Sequence, residues 1–346
     1  MYQYTHFIKQ NIAPQGAKHI GVYDANGKRI CTVPLGGLTP PKGEKLYSFG
    51  LVSDLHIYKK NVPWVTWNPI EKFDHALSYF ESQGCKMCFV CGDLTQTGFY
   101  SKNNEEDINE TPHLDLEQME NYKEICDKHS LSIYGLAGNH ESYYNQPLTQ
   151  NLEKWKTYTG NNLFNILVYG SQDCYFLLGQ PDHSSVMSET ILSSLQEKFE
   201  YYYNLNKNRR FFVFVHSYIE EDSGDPIDKR ENSIFETWGS SNTNTFLNLL
   251  RKYNATLFHG HSHTKFECQE LDERANYTEI NGFKSVHIPS LGRPRTVSSD
   301  SDSTPYADNE AQGYLVDVYK DFIVLNGTDF INNQPIPIGI YKIDTN

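Results

Sequence analysis

FHGHSH, residues 258–263, sets three imidazoles, His259, His261 and His263, around Gly260 at the end of the apolar run ATLF. Burying an imidazole without a partner costs free energy, and a glycine here suggests a sharp change of chain direction. A packed core histidine, a tight turn and a metal site all fit the stretch alone. Its surroundings have to separate them.

Bulk properties come first. The chain has 346 residues, 38% of them hydrophobic, with 24 Tyr and 19 Phe, so it is globular and can bury a large core. Its formal net charge is -13, which repels phosphate backbones and disfavours extended nucleic-acid binding. No apolar run approaches the roughly 18 residues of a membrane span. The start MYQYTHFIKQNIAPQG lacks the charged head, apolar middle and small-residue cleavage site of a signal peptide. Seven cysteines, an odd number, fit reduced thiols. A cytoplasmic chain without a membrane partner is expected, with virion association as the alternative placement. CKMCFVC (Cys85, Cys88, Cys91) suggests an iron–sulfur or zinc cluster at first sight. In a strand, however, that spacing sends alternate cysteines to opposite faces, and the next cysteine is Cys126. Small buried thiols are the better reading.

Residues 1–45 read as an appendage: HIGVYDANGKRICTV carries two β-prone runs around DANG, a hairpin signal, and PLGGLTPPKG is a linker. Residues 46–346 form the main domain. LYSFGLVSD, KMCFVCGD, LSIYGLAGNHE, CYFLLG, RFFVFVHS, ATLFHGHSH and KSVHIPS are predicted strands, and GYLVDVYKDFIVLNGTDF a β-hairpin. EKFDHALSYFES places Phe73, Ala76, Leu77 and Phe80 on one helical face. Further helices are predicted at LEQMENYKEICDKHS, SETILSSLQEKFEYYYN and TFLNLLRKY. TVSSDSDSTPYADNE is too polar for a core and reads as a surface loop. Helices between the early strands and hairpins at the end predict an α/β fold with mixed sheets and helices outside.

Several predicted strands end alike, an apolar run giving way at once to metal-liking side chains. They read SDLH (Asp54, His56), CGDL (Asp93), AGNHE (Asn139, His140), FVHS (His216) and GHSH (His261, His263). Each piece alone is an ordinary cap or turn. In series, at strand ends where α/β sheets gather their sites, they are hard to assign to capping. Carboxylates, imidazoles and an amide oxygen suit Mn, Fe, Zn or Ni better than Ca or Mg. Two ions about 3.5–4 Å apart need a shared ligand, and a carboxylate can bridge where a neutral imidazole cannot.

The order DLH, GD, GNHE, H, GHSH, over residues 54–263, resembles the calcineurin-like metallophosphoesterases, whose motif is D-x-H, G-D, G-N-H-[DE], H, G-H-x-H. The resemblance implies a four-layer αββα sandwich with the site at the sheet edges. It implies Asp54, His56, Asp93 and His263 on one metal, and Asp93, Asn139, His216 and His261 on the other. Asp93 would be the bridge and His140 would face the substrate. Two divalent transition metals are expected, Mn foremost. Gly260 would permit the turn, and His259 matches no ligand position. His6, His19, His75, His113, His129, His183 and His287 lack comparable context.

Departures narrow the branch. Purple acid phosphatases carry a tyrosine three residues after the G-D aspartate and lack the D-x-H histidine, whereas this chain has Gln96 and His56. Protein Ser/Thr phosphatases carry an arginine that GDLTQTG lacks. What remains is similar to the cyclic-nucleotide and other small phosphodiesterases. Catalysis by a metal-bridging hydroxide, with His140 as general acid or charge stabiliser, is the expectation. A phosphomonoesterase of the same fold and a non-catalytic scaffold are the alternatives. Gln96 replaces a common aspartate, and its amide could orient His140 but not charge it. Arg293 and Arg295 are candidate phosphate contacts, and Tyr143, Tyr144 and Tyr218 candidate pocket walls. SKNNEEDINETPH and YIEEDSGDPIDKRENS would shape the substrate entrance. The appendage and the ending GTDF…IGIYKID resemble segments of phosphoesterases carried by gut bacteria and their phages.

Overall fold

The computed structural model describes residues 43–60, 62, 65–103, 109–170, 172–180, 189–217, 234–267, 277–280, 283–295 and 309–345, with two earlier strands. Those two, β1 (His19–Tyr23) and β2 (Arg29–Pro34), pair antiparallel across the DANG turn signal.

Two six-stranded sheets make the body. The first has the order β16-β15-β14-β3-β4-β7. Here β3 (Lys45–Val52), β4 (Met87–Cys91) and β7 (Ser132–Leu136) run parallel, while β14 (Gln312–Tyr319), β15 (Phe322–Asp329) and β16 (Gln334–Asp344) extend antiparallel from β3. The second has the order β12-β13-β11-β10-β9-β8. Its parallel centre is β9 (Asp173–Leu178), β10 (Arg210–Val215), β11 (Thr256–His259) and β13 (Phe283–His287). Antiparallel β8 (Phe164–Tyr169) and β12 (Tyr277–Ile280) close its edges. A short ribbon, β5 (Tyr100–Ser101) with β6 (His113–Leu114), stands apart. Both large sheets are mixed, as predicted.

Period-two alternation divides the side chains among the layers. On β10, Phe212 and Phe214 enter the core between the sheets while Phe211, Val213 and Val215 face outward. On β4, Met87, Phe89 and Cys91 point inward and Cys88 and Val90 outward. The cysteines therefore separate by face and cannot form one cluster. All are free thiols among the described residues. Between the sheets Phe89 stacks on Phe214 at 4.6 Å and on Tyr175 at 4.9 Å. Each such fully buried side chain contributes about 1.5–3 kcal/mol relative to exposure.

Helices α1 (Pro69–Ser82), α2 (Glu117–Lys128) and α3 (Leu152–Thr159) cover the first sheet through Phe73, Leu77, Phe80, Met119, Tyr122 and Trp155. Helices α4 (Glu189–Leu205) and α5 (Ile234–Lys252) cover the second through Leu195, Phe199, Phe246 and Leu250. The result is the four-layer αββα sandwich. α5 starts well before the TFLNLLRKY stretch that marked it. α3, β8, β12 and β16 had no prediction. No helix among the described residues is long and apolar enough to cross a membrane. The surface loop expected at 296–310 lies almost wholly outside the described residues.

Candidate metal centre

Parallel strands point all their C-terminal ends one way, and here both sheets present those ends to the same place. Asp54 and His56 follow β3, Asp93 follows β4, Asn139 and His140 follow β7, His216 follows β10, and His261 and His263 follow β11. Main-chain bonds fasten the loops together: Asp54 N donates to Gly92 O at 3.1 Å, His56 N to Asp93 O at 3.0 Å, and Gly260 N to His216 O at 3.0 Å. Asp54, His56, Asp93, Asn139, His216 and His263 are all buried.

Two donor groups result, each able to hold a metal ion: Asp54, His56, Asp93 and His263 in one, and Asp93, His216 and His261 in the other. Asp93 belongs to both. Asn139 Oδ1 adjoins the second, 2.9 Å from His216 Nε2 and 3.1 Å from His261 Nδ1. His216 Nδ1–H donates to Cys91 O at 2.8 Å, which turns the Nε2 lone pair inward. Nε2 lies 3.2 Å from Asp93 Oδ2 and 3.2 Å from His261 Nδ1. In the first group His56 Nε2 and His263 Nε2 lie 2.9 Å apart, with Asp54 Oδ1 3.2 Å from His263 Nε2. Each of these close pairs needs a proton or a cation between its atoms, and a cation at each centre would serve all of them at once. The donor set fits the expected pair of ions.

Electrostatics agree. Burial pushes the Asp93 carboxyl up, but the His216 and His140 charges outweigh it and hold it well below the usual carboxylate range. Asp54 is lowered likewise, burial being overcome by His263 and His216. Burial lowers a histidine, yet the Asp93 and Asp54 carboxylates push His216 up to about 10. Loss of water around the half-buried His261, then the His216 charge, pushes it down to about 3. Burial, then His140 and His263, hold His56 well below its ordinary value. The two carboxylates draw positive charge to this point.

Backbone strain marks the same residues. Asp54, His56, Asp93, His261 and His263 all have left-handed φ, between 48° and 72°. That region costs a residue with a Cβ roughly 1–2 kcal/mol, and it persists where the surroundings dictate it. The sharp turn in GHSH is thus made by the two histidines. Gly260 corrects the expectation: its φ is not positive, and what it provides is room. A Cβ there would stand 1.9 Å from Ser53 Oγ and 2.4 Å from Asp54 Oδ2. Gly260→Ala is expected to displace the Asp54 carboxylate, destabilise the fold by about 1–3 kcal/mol through overpacking, and weaken Mn binding. Thermal melts and calorimetric Mn titration check this. An alanine variant that binds Mn as tightly as the parent would overturn the space argument.

Some contributors escaped the sequence reading. Glu141, fully buried, accepts from Thr95 N at 3.0 Å and Gly138 N at 2.8 Å, tying the Asp93 loop to the Asn139 loop. Burial, then the Asp93 charge, push its carboxyl up to about 7. His287, to which the sequence assigned nothing, meets Ser262 Oγ at 2.7 Å and so steadies the loop between His261 and His263. It pairs in register with His259 across β13 and β11, and His259 lies in neither donor group. Gln96 is a second correction. His140 Nδ1 donates at 2.5 Å to the Gln96 backbone carbonyl, so any side chain at 96 could support that bond. Tyr143 stacks on His140, centroids 4.8 Å apart, and Tyr144 meets Tyr143 edge-on. Arg293 and Arg295 are half-buried, and Arg295 N donates to His263 O at 2.8 Å. Tyr218 and the 218–233 loop lie outside the described residues, as do 104–108 of the other expected entrance loop.

Comparison with known proteins gives a consistent picture. The chain resembles the structure of a dimetal phosphatase from Danio rerio, with 14% identity, TM-score 0.59, and coverage of 88% of this chain and 100% of that one. It also resembles GAP50, the anchor in the inner membrane complex of Plasmodium, with 11% identity, TM-score 0.51, and coverage of 88% and 90%. Purple acid phosphatase PPD1 from yellow lupin (Lupinus luteus) seeds shares 12% identity and TM-score 0.53, over 94% of this chain and 59% of that one. At these identities the likeness is one of fold. No curated protein matches the chain in sequence. The family profile described as calcineurin-like phosphoesterase matches residues 47–265. That span runs from β3 through the loop after β11 and contains every donor of both groups, and the chain belongs to the calcineurin-like phosphoesterase family.

Proposed function

We propose that the chain is a dinuclear metal-dependent hydrolase of phosphodiesters. In this reading Asp54, His56, Asp93 and His263 hold one divalent transition metal, and Asp93, Asn139, His216 and His261 hold the other. Mn is the leading candidate, with Fe, Zn and Ni behind it. The observation that carries the reading is Asp93. Its Oδ2 stands 3.2 Å from His216 Nε2 and 3.7 Å from His56 Nε2, so one carboxylate faces both groups.

When bound, two such ions supply Lewis acidity toward phosphoryl oxygens and acidify a water toward neutrality. The chain's residues do the rest. His216, its tautomer set by the Cys91 carbonyl, and Asp93, fixed by the His140 backbone N–H at 2.9 Å, hold the donors in place. His140 lies in neither donor group and stabilises or protonates the departing oxygen.

A diester brings one negative charge where a monoester brings two. An acidic chain, whose GDLTQTG loop lacks the protein-phosphatase arginine, accepts the single charge more readily. One additional repulsion of about 1.4 kcal/mol corresponds to a preference of about tenfold. With Mn added, catalytic efficiency is therefore expected to be higher on a bis-nitrophenyl diester than on nitrophenyl phosphate. Faster monoester turnover with every metal tested would make the chain a phosphatase. No turnover of either by a chain carrying two metals would make it a scaffold.

A further inference from the structure

We propose that Arg293 is a phosphate-binding residue of this site, presenting its guanidinium to the non-bridging oxygens of a substrate held at the two donor groups. The inference rests on the phosphoesterase reading above.

The segment before Arg293 is fastened to the loop that carries Asp54 and His56. Leu291 N donates to Ser53 O at 2.9 Å and Gly292 N to Asp54 O at 3.1 Å. Ser290 Oγ donates to Asp54 O at 2.8 Å and accepts from Arg293 N at 2.8 Å. The packing is so close that a Cβ on Gly292 would fall 2.0 Å from Leu55 O. The main chain of Arg293 therefore moves with the donors.

Among the groups that place its side chain, Trp67 and Gln96 are themselves tied to the site. The guanidinium lies over the Trp67 ring, 4.5 Å from the centroid, and Trp67 Nε1 donates to His56 O at 3.3 Å. Arg293 Nη1 reaches Gln96 Oε1 at 3.5 Å, and the Gln96 carbonyl accepts the His140 Nδ1 proton. Arg293 thus sits where the His56 and His140 loops meet. A guanidinium laid on an indole keeps its N–H edges in its own plane, the geometry that suits planar approach to phosphoryl oxygens. Stacking also holds the long side chain in place before substrate arrives, which lowers the ordering cost on binding.

The sign of the charge separates this role from a structural one. A fixed cation beside a site that collects divalent cations repels them, so Arg293 works against metal binding. It becomes favourable when an anion arrives. Removing the charge should therefore move the two affinities differently, whereas a residue needed only for packing would weaken both.

Calorimetric titrations of the full chain with Mn, and of the Mn-saturated chain with inorganic phosphate, test this. Arg293→Gln is expected to bind Mn as tightly as the parent or a few-fold tighter. Phosphate binding should weaken about 10–100-fold, the usual scale for a charge-assisted hydrogen bond. The KM for the diester should rise more than kcat falls. Arg293→Lys, which keeps the charge and loses the fork, should lie between the two. Phosphate affinity within twofold of the parent in both variants, or Mn and phosphate weakened in parallel, overturns the proposal. A Mn-saturated parent that binds no phosphate removes the phosphoesterase reading and this proposal with it.

Discussion

Asp93→Ala is expected to lose both metals, taking the content after Mn loading from two ions per chain to none and activity down with it. The argument is geometric. Asp93 alone belongs to both donor groups, and its Oδ2 faces His216 Nε2 at 3.2 Å, His56 Nε2 at 3.7 Å and His140 Nε2 at 3.9 Å. Two divalent ions held close together repel each other strongly unless an anion lies between them. Among these donors the ones shared by neither ion cannot screen that repulsion, so removing Asp93 takes a ligand from each position and the screen from both. Loss of activity should reach at least about 10³-fold, because the ions supply the electrostatic stabilisation on which the chemistry depends. Elemental analysis beside circular dichroism separates lost metal from lost fold. A folded Asp93→Ala chain that keeps two ions, or a parent that saturates at one, would sink the dinuclear assignment.

How far the sequence reveals this site depends on which physical signal each residue carries. Asp54, Asp93, Asn139, His216, His261 and His263 are legible because each interrupts an apolar run at the end of a buried strand, an abrupt local change. The layering is legible too, since a continuous apolar strand such as RFFVFV has to be covered on both faces and a period-3.6 helix such as EKFDHALSYF declares its inward face. The edges are harder. β16, QPIPIGIYKID, carries two prolines, which argue against a strand until its edge position is known; Pro335 and Pro337 are exposed there while Ile336 and Ile338 are buried. α5 begins at Ile234, in a polar stretch beside a predicted loop, so its start gives no periodic signal. Contacts between distant segments are the least legible. The Ser262–His287 bond spans 25 residues and the Thr95–Glu141 bond 46, and neither partner announces the other. The support of His140 by the Gln96 main chain cannot be read from side-chain identity at all. Left-handed φ at five donors is likewise a product of the assembled loops: aspartate and histidine enter that region more readily than most residues, yet still uncommonly, so their identity alone does not announce it.

His140→Ala should leave both metals bound and slow alkyl or nucleotide diesters by about 10²–10⁴-fold, the scale of general acid catalysis, with a clearly smaller effect on nitrophenyl diesters. The ring is held on three sides. Nδ1 donates to the Gln96 carbonyl, Tyr143 stacks on one face, and His56 meets it edge-on with centroids 4.6 Å apart. With Nδ1 committed as a donor, Nε2 is the atom left for chemistry, and it lies on the Asp93 side of the ring. Burial pushes this histidine below its ordinary pKa, while the Asp93 charge and the Gln96 carbonyl oppose that fall. The charged form is therefore a stronger acid than free imidazolium, while a smaller share of chains carries the Nε2 proton at neutral pH, so the acid role predicts a rate that falls as pH rises. Need is what the substrate pair varies. A nitrophenolate departs without help, its conjugate acid having a pKa of roughly 7, whereas an alkoxide does not. Acid catalysis therefore predicts unequal slowing, and a histidine that only positions other groups predicts equal slowing on both substrates. Rates on the two leaving groups, measured beside metal content, decide between them: equal slowing with both ions retained would remove the acid role, and loss of an ion would make His140 part of the metal site.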